Sequence, residues 1–153
     1  MTTIEQRLAE LGYTRPAVFP RMGSYELFVR VGNLLYLSGA APKAQSGEWM
    51  IGKVGGEFSA EEAHEHARYV GLQHLAVPKE AVGELDRVKR VIKVLGMVNA
   101  VPEFAQYTQV VNGYSDLLIQ VFGEAGKHAR SAVGTVGLPA NVSVEVEAIV
   151  EVN

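Results

Sequence analysis

The sequence predicts an α+β domain in which two main helices cover one face of a mixed sheet. Three observations carry this. Residues 142–152 alternate Val142, Val144, Val146, Ala148, Val150 and Val152 with Ser143, Glu145, Glu147, Ile149 and Glu151, the period of a strand with one buried face. Two segments, near 59–77 and 103–122, repeat apolar residues at helical spacing. Gly32-Asn33 separates two β-rich runs, the signature of a hairpin. Helical and strand periods interleave along one chain, so the elements share one core.

Size and composition set the frame. A chain of 153 residues suits one domain, with residues 1–19 as an N-terminal extension punctuated by Gly12, Pro16 and Pro20. Hydrophobic residues at 48% against 20% charged exclude wholesale disorder. The absence of cysteine excludes disulfides, thiolate metal sites and a cysteine nucleophile. A formal charge of -3 argues against an electrostatic partnership with nucleic acid or an anionic membrane. The N-terminus carries Glu5, Arg7 and Glu10 and no apolar signal core, which predicts a cytoplasmic protein.

The elements follow in order. Ile4, Leu8 and Leu11 share a helical face, so 3–11 is a short helix. Tyr25–Val31 and Leu34–Ser38 form the hairpin, and 40–56 is a loop. Ser59 and Glu62 make a capping box that opens a helix over the stripe Ala63, Ala67, Val70, His74 and Val77, with Pro78 as its expected stop. The second half of 87–98 reads as a strand. Pro102 opens a helix whose stripe is Phe104, Tyr107, Val111, Tyr114, Leu118 and Phe122, ended by Gly123. Strands 131–136 and 142–152 then flank a turn at 138–141, which predicts a terminal hairpin.

That hairpin makes a chemical prediction. If Ala132 lies opposite Glu145, then Arg130 lies opposite Glu147, and all four side chains share a face. Arg130 and Glu145 would then be diagonal neighbours about 7–8 Å apart. A guanidinium grips a carboxylate bidentately, and a nearby glutamate moves protons to and from water or nitrogen. Together they suit hydrolysis of a small carboxylate-bearing electrophile. The plain alternatives are a solvated acidic face and an Arg130–Glu147 ion pair. A one-residue slip would send Arg130 and Glu145 to opposite faces.

Several segments carry a resemblance. Gly23-Ser24-Tyr25, Gly32-Asn33-Leu34-Leu35-Tyr36-Leu37-Ser38-Gly39, Ala129-Arg130-Ser131-Ala132-Val133, Leu138-Pro139 and Val144-Glu145-Val146-Glu147-Ala148-Ile149 resemble the RidA/YjgF family of reactive-intermediate deaminases, in order from about residue 20 to the end. The resemblance implies a chorismate-mutase-like fold, a homotrimer with clefts between subunits, and no cofactor or metal. It implies that Arg130 binds the substrate carboxylate, that Glu145 activates water, and that Tyr25, Gly39, Asn112 and Ala132 line the cleft. The implied reaction is hydrolysis of 2-imino and 2-enamino acids, such as 2-aminoacrylate or 2-iminobutyrate, to 2-keto acids and ammonia. The chain departs from the family pattern in having Ala132 where many members carry Cys, His128 two residues before the arginine, a long 40–57 loop and an N-terminal helix. Two further readings stand beside the enzyme: a regulatory trimer that binds small carboxylates without turnover, and an endoribonuclease, which the acidic charge disfavours.

Other motifs carry less. His64 and His66, two apart on a helix, do not share a face for a metal. His74 reads as a satisfied core or interface histidine. His128 reads as a loop residue, with a place in the cleft as the alternative. Gly123–Lys127 lacks the spacing of a phosphate loop. Trp49 either packs over the cleft or covers the sheet.

Overall fold

A computed structural model describes all 153 residues. The chain runs α1 (Ile4–Glu10), β1 (Phe28–Val31), β2 (Leu34–Ala40), α2 (Ala60–Val82), β3 (Val88–Asn99), α3 (Tyr107–Phe122), β4 (Ala129–Thr135) and β5 (Val144–Val152), with short 3-10 turns at Leu85–Arg87, Gly123–Gly126 and Pro139–Asn141. The five strands form one mixed sheet in the order β1-β2-β5-β3-β4. Only β3 and β4 run parallel, with α3 as the crossover between them.

The hairpin of β1 and β2 forms at Gly32-Asn33 as predicted, with Val31 opposite Leu34, but its first strand begins at Phe28 and not at Tyr25. The terminal hairpin is not. β3 lies between β4 and β5, and pairs with both. Ala132 is opposite Gly96, and Glu145 is opposite Met97. The turn at 138–141 exists, with Ala140 and Asn141 at positive φ, but it steps over one strand instead of joining neighbours.

Two helix boundaries also differ. α2 passes through the buried Pro78 and ends at Gly83, whose φ of 87° lets the chain turn away. Proline here removes one backbone bond, and the burial of Val77 and Val82 on either side holds the helix together across it. α3 begins at Tyr107 because Val101 is first tied to the Val54 carbonyl (3.1 Å) and Phe104 closes a turn onto Val101.

α2 and α3 cover one face of the sheet. Their Ala63, Ala67, Val70, Val110, Val111 and Leu117 meet Leu35, Val94, Val98, Val144 and Val146, all at 1% exposure or less. The N-terminal extension is tied down. Thr3 and Gln6 form a capping box on α1, and Glu5 reaches Arg15 at 3.2 Å and Lys79 at 3.5 Å. No helix is long and apolar enough to cross a membrane. The other face of the sheet bears exposed Val29, Tyr36 and Val133 together with the carboxylates of β5.

His74 is the core histidine the sequence suggests. Nε2 lies 3.0 Å from the Ser38 carbonyl and Nδ1 lies 2.7 Å from the Tyr114 hydroxyl. A carbonyl only accepts, so Nε2 carries the hydrogen and Nδ1 accepts from Tyr114. Burial pushes this imidazole down to about 4 from the ordinary 6.5. The unfolded chain therefore takes up the proton first, so stability from this group is full above pH 6.5 and is lost as pH falls toward 4. The loss is on the order of 3 kcal/mol. Urea unfolding across this window should show it, with His74→Gln less stable at pH 7 but with a flatter pH dependence. An equally steep profile for the variant would move the effect to His66 or His128, whose imidazoles burial also draws down.

Candidate functional site

The site is built on a break in strand pairing. On β2, Leu37 pairs with Ala148 and Ala40 with Val146, so Ser38 and Gly39 together oppose Glu147. Such a bulge re-aims the chain locally. It is pinned from three sides: Ser38 N–H donates to Leu27 O (2.9 Å), its hydroxyl donates to Glu26 O (2.6 Å), and His74 holds its carbonyl.

Gly39 then lies directly against Glu145. A Cβ at this glycine would sit 3.0 Å from the Glu145 carboxyl carbon. Because β5 sends its valines toward the helices, Glu145 and Glu147 project onto the opposite, open face. Glu145 is half-buried there. Burial, and secondarily the charge of Glu147, pushes its carboxyl above the usual carboxylate range. No cation of its own chain pairs with it, since the ion pair on β5 joins Glu151 to Lys89. A cavity of about 680 Å³ opens beside it, lined by Tyr25, Gly39, Trp49, Ile51, Glu145 and Glu147, among others. Trp49 thus belongs to the cleft wall.

Arg130 is elsewhere. It is in register with Val94 and shares that residue's helix-facing side of the sheet. Its Nη1 donates to Ser115 Oγ (2.9 Å) and its Nη2 to the Thr108 carbonyl (3.2 Å). Ala132 points the same way, toward the core. Within one chain, Arg130 and Glu145 therefore face opposite sides, two strands apart and offset along them, with Cα atoms about 14 Å apart. The predicted diagonal pair does not exist, because β3 separates the two strands and the parity of the register is reversed.

His128 belongs to the arginine's surroundings. Its Nε2 lies 2.8 Å from Ser115 Oγ and its Nδ1 lies 2.6 Å from the Gly126 carbonyl. The carbonyl requires hydrogen on Nδ1, so Nε2 accepts from Ser115, whose lone pairs then face Arg130. Asn112 sits between Thr108 and Ser115 on the same stripe of α3. Ser115 and Thr108 were not singled out by sequence reasoning. The signal for them was present in the polar residues Thr108, Asn112 and Ser115, spaced i, i+4, i+7 beside the apolar stripe.

The remaining histidines are accounted for. His66 Nδ1 meets Ser143 Oγ at 2.8 Å, and His64 faces Asp116 at 4.0 Å, so the two diverge. No group of three acidic or histidine side chains could hold a metal ion.

The family described as "YjgF/chorismate_mutase-like, putative endoribonuclease" matches residues 5–152. Protein TCP17 of Trypanosoma cruzi is 41% identical over 151 residues, covering 98% of this chain and 94% of that protein. The crystal structure of Atu1372 from Agrobacterium tumefaciens, of unknown function, is 43% identical with a TM-score of 0.90, covering 98% of this chain and 92% of that one. A Shewanella oneidensis structure described as a putative endoribonuclease is 32% identical with a TM-score of 0.94, covering 98% and 99% of the two chains.

Proposed function

We propose that this chain, which belongs to the YjgF/chorismate-mutase-like family, hydrolyses 2-imino and 2-enamino acids to 2-keto acids and ammonia in clefts shared between copies of itself. The observation that carries this reading is the half-buried Glu145 carboxyl, raised above its usual range, with Gly39 against it and an open cavity beside it. Such a carboxyl holds a proton more readily than an ordinary glutamate does, which suits it to deliver one to the imine nitrogen and to take one back from water. Water adds to the C=N carbon, the carbinolamine collapses, and ammonia leaves as the carbonyl forms. An enamine substrate first takes a proton at carbon and becomes the imine.

The substrate carboxylate needs a cation that Glu145's own chain does not supply. Arg130 of a second copy is the proposed source. Two of the guanidinium's five N–H donors are engaged by Ser115 and Thr108, which leaves three for a carboxylate. Exposed Val29, Tyr36 and Val133 on the uncovered sheet face support close association of copies, and a homotrimer is the assembly proposed. Light scattering should then report three times the 16.6 kDa chain mass.

The test is a coupled reaction. Added to a threonine or serine dehydratase reaction, the protein should speed release of ammonia and 2-keto acid. Glu145→Gln should lower kcat by about 10²-fold or more, and Arg130→Ala should lower kcat/KM by about 30-fold or more. A wild type that accelerates no 2-imino acid, yet is stabilised by 2-oxobutyrate only when Arg130 is present, would replace turnover with simple binding. The ribonuclease label of the family gains no support from a net charge of -3.

A further inference from the structure

We infer that His128, acting through Ser115, is a positioning residue for substrate binding, and that the pair aims the Arg130 guanidinium at the substrate carboxylate without neutralising it. This rests on Arg130 as the carboxylate-binding cation and adds the device that orients it. The choice of partners is the first sign. A carboxylate held against Arg130 would take up the charge and the N–H fork that a substrate needs. No ion pair of the chain includes Arg130. Two uncharged oxygens of α3 grip it instead, the Ser115 hydroxyl at 2.9 Å and the Thr108 carbonyl at 3.2 Å. They stand about two helical turns apart, so two separated bonds to one rigid helix fix the plane of the fork.

The direction of the hydrogens is the second. A serine inside a helix readily turns its hydroxyl onto the carbonyl one turn earlier. His128 offers Ser115 another acceptor, its Nε2 at 2.8 Å, while its Nδ1–H is committed to the Gly126 carbonyl at 2.6 Å. The hydroxyl hydrogen therefore points to His128, and the oxygen's lone pairs are left for Arg130. Burial, seconded by the charge of Arg130, draws the His128 imidazole below its ordinary range, which keeps it a neutral acceptor. A serine bonded to a histidine also suits a nucleophile. Here Ser115 is only 7% exposed and its one oxygen is taken by His128 on one side and Arg130 on the other, so it anchors and does not attack.

Rigidity is the third. Gly126 is pressed against α3, where a Cβ would sit 2.6 Å from the Leu118 carbonyl carbon and 2.9 Å from the Ile119 Cα. The carbonyl that orients His128 is thus fixed to the same helix that carries Ser115 and Thr108. Every group of this relay belongs to one chain, so it does not depend on the copy that supplies Glu145. A fork already aimed loses little freedom when a carboxylate binds.

The experiment compares His128→Leu, which keeps bulk and removes the acceptor, with His128→Gln, which keeps an acceptor, and with Ser115→Ala. The carboxylate is held alike in the ground and transition states, so a misaimed fork shows in KM and not in kcat. In the dehydratase-coupled assay His128→Leu and Ser115→Ala should each raise KM about tenfold, the size of one hydrogen bond to a charged group, with kcat within about twofold. His128→Gln should recover most of the loss. The Kd of 2-oxobutyrate by calorimetry should follow the same order, which gives a readout apart from turnover, and circular dichroism checks that each variant is folded. A fall in kcat with KM unmoved makes His128 a proton-transfer group and overturns the inference. A Gln variant as poor as the Leu variant reduces His128 to packing and overturns it too. KM and Kd unmoved in both His128→Leu and Ser115→Ala overturn it while Arg130 stays the carboxylate site. A wild type that neither hydrolyses an imine nor binds 2-oxobutyrate through Arg130 overturns the role of Arg130 itself, and the positioning role with it.

Discussion

Mixed rings of Arg130→Ala and Glu145→Gln subunits, in the trimer proposed above, should regain activity well above that of either parent. In one chain the two side chains lie on opposite sides of the sheet, with β3 between their strands. A cleft that uses both must take Glu145 from one copy and Arg130 from the next. A three-membered ring has three such clefts. In any ring containing both variants, one cleft pairs the intact Glu145 of an Arg130→Ala subunit with the intact Arg130 of a Glu145→Gln subunit. Random mixing at equal amounts makes three quarters of the rings mixed, so about a quarter of wild-type activity should return. The measurement is imine hydrolysis after co-refolding, against each parent refolded alone. Activity that stays at the parental level after verified subunit exchange would sink the shared cleft.

Gly113→Ala should come close to abolishing the fold. A Cβ at this position would overlap the His64 carbonyl oxygen and sit 2.8 Å from its carbon. Both atoms are backbone of α2, so no rotamer change relieves the overlap, and α2 and α3 must separate. These helices carry the apolar layer that covers the sheet, including Val70, Val111 and Leu117. Overpacking of a few atoms typically destabilises by about 1–3 kcal/mol, and a collision with fixed backbone belongs to the rarer class above about 4 kcal/mol. That is a large share of the roughly 5–15 kcal/mol available to a domain. Gly137→Ala, with nothing within 4 Å of its Cβ, is the control and should change stability by less than about 0.5 kcal/mol. Urea unfolding of both variants decides. A Gly113→Ala protein as stable as the control would mean the helices cross less closely than described.

In the sequence Gly113 reads only as a weak spot in a helix. Its value comes from a contact with a residue 49 positions earlier, which local pattern does not encode. The same holds for Ser38-Gly39. The motif was visible, but the bulge that sets Gly39 against Glu145 depends on how β2 meets β5. Pro78 was a reasonable stop by local rules, and tertiary burial on both sides of it overrode them.

The sequence alone determined the α+β class, the two covering helices, the first hairpin and the two faces of the last strand. Each of these follows from periodicity within a single segment, where side-chain direction is set by the backbone itself. It also marked Glu145 as an acid placed opposite a buried valine face. Only the tertiary structure decided the neighbours. A period of two says which residues share a side of one strand and nothing about which strand lies beside it. With β3 inserted between β4 and β5, Arg130 turned toward α3 and the held hydroxyl of Ser115, while Glu145 turned toward the open face. Strand order is fixed by burying the whole apolar layer at once, a long-range property that no local run of residues carries.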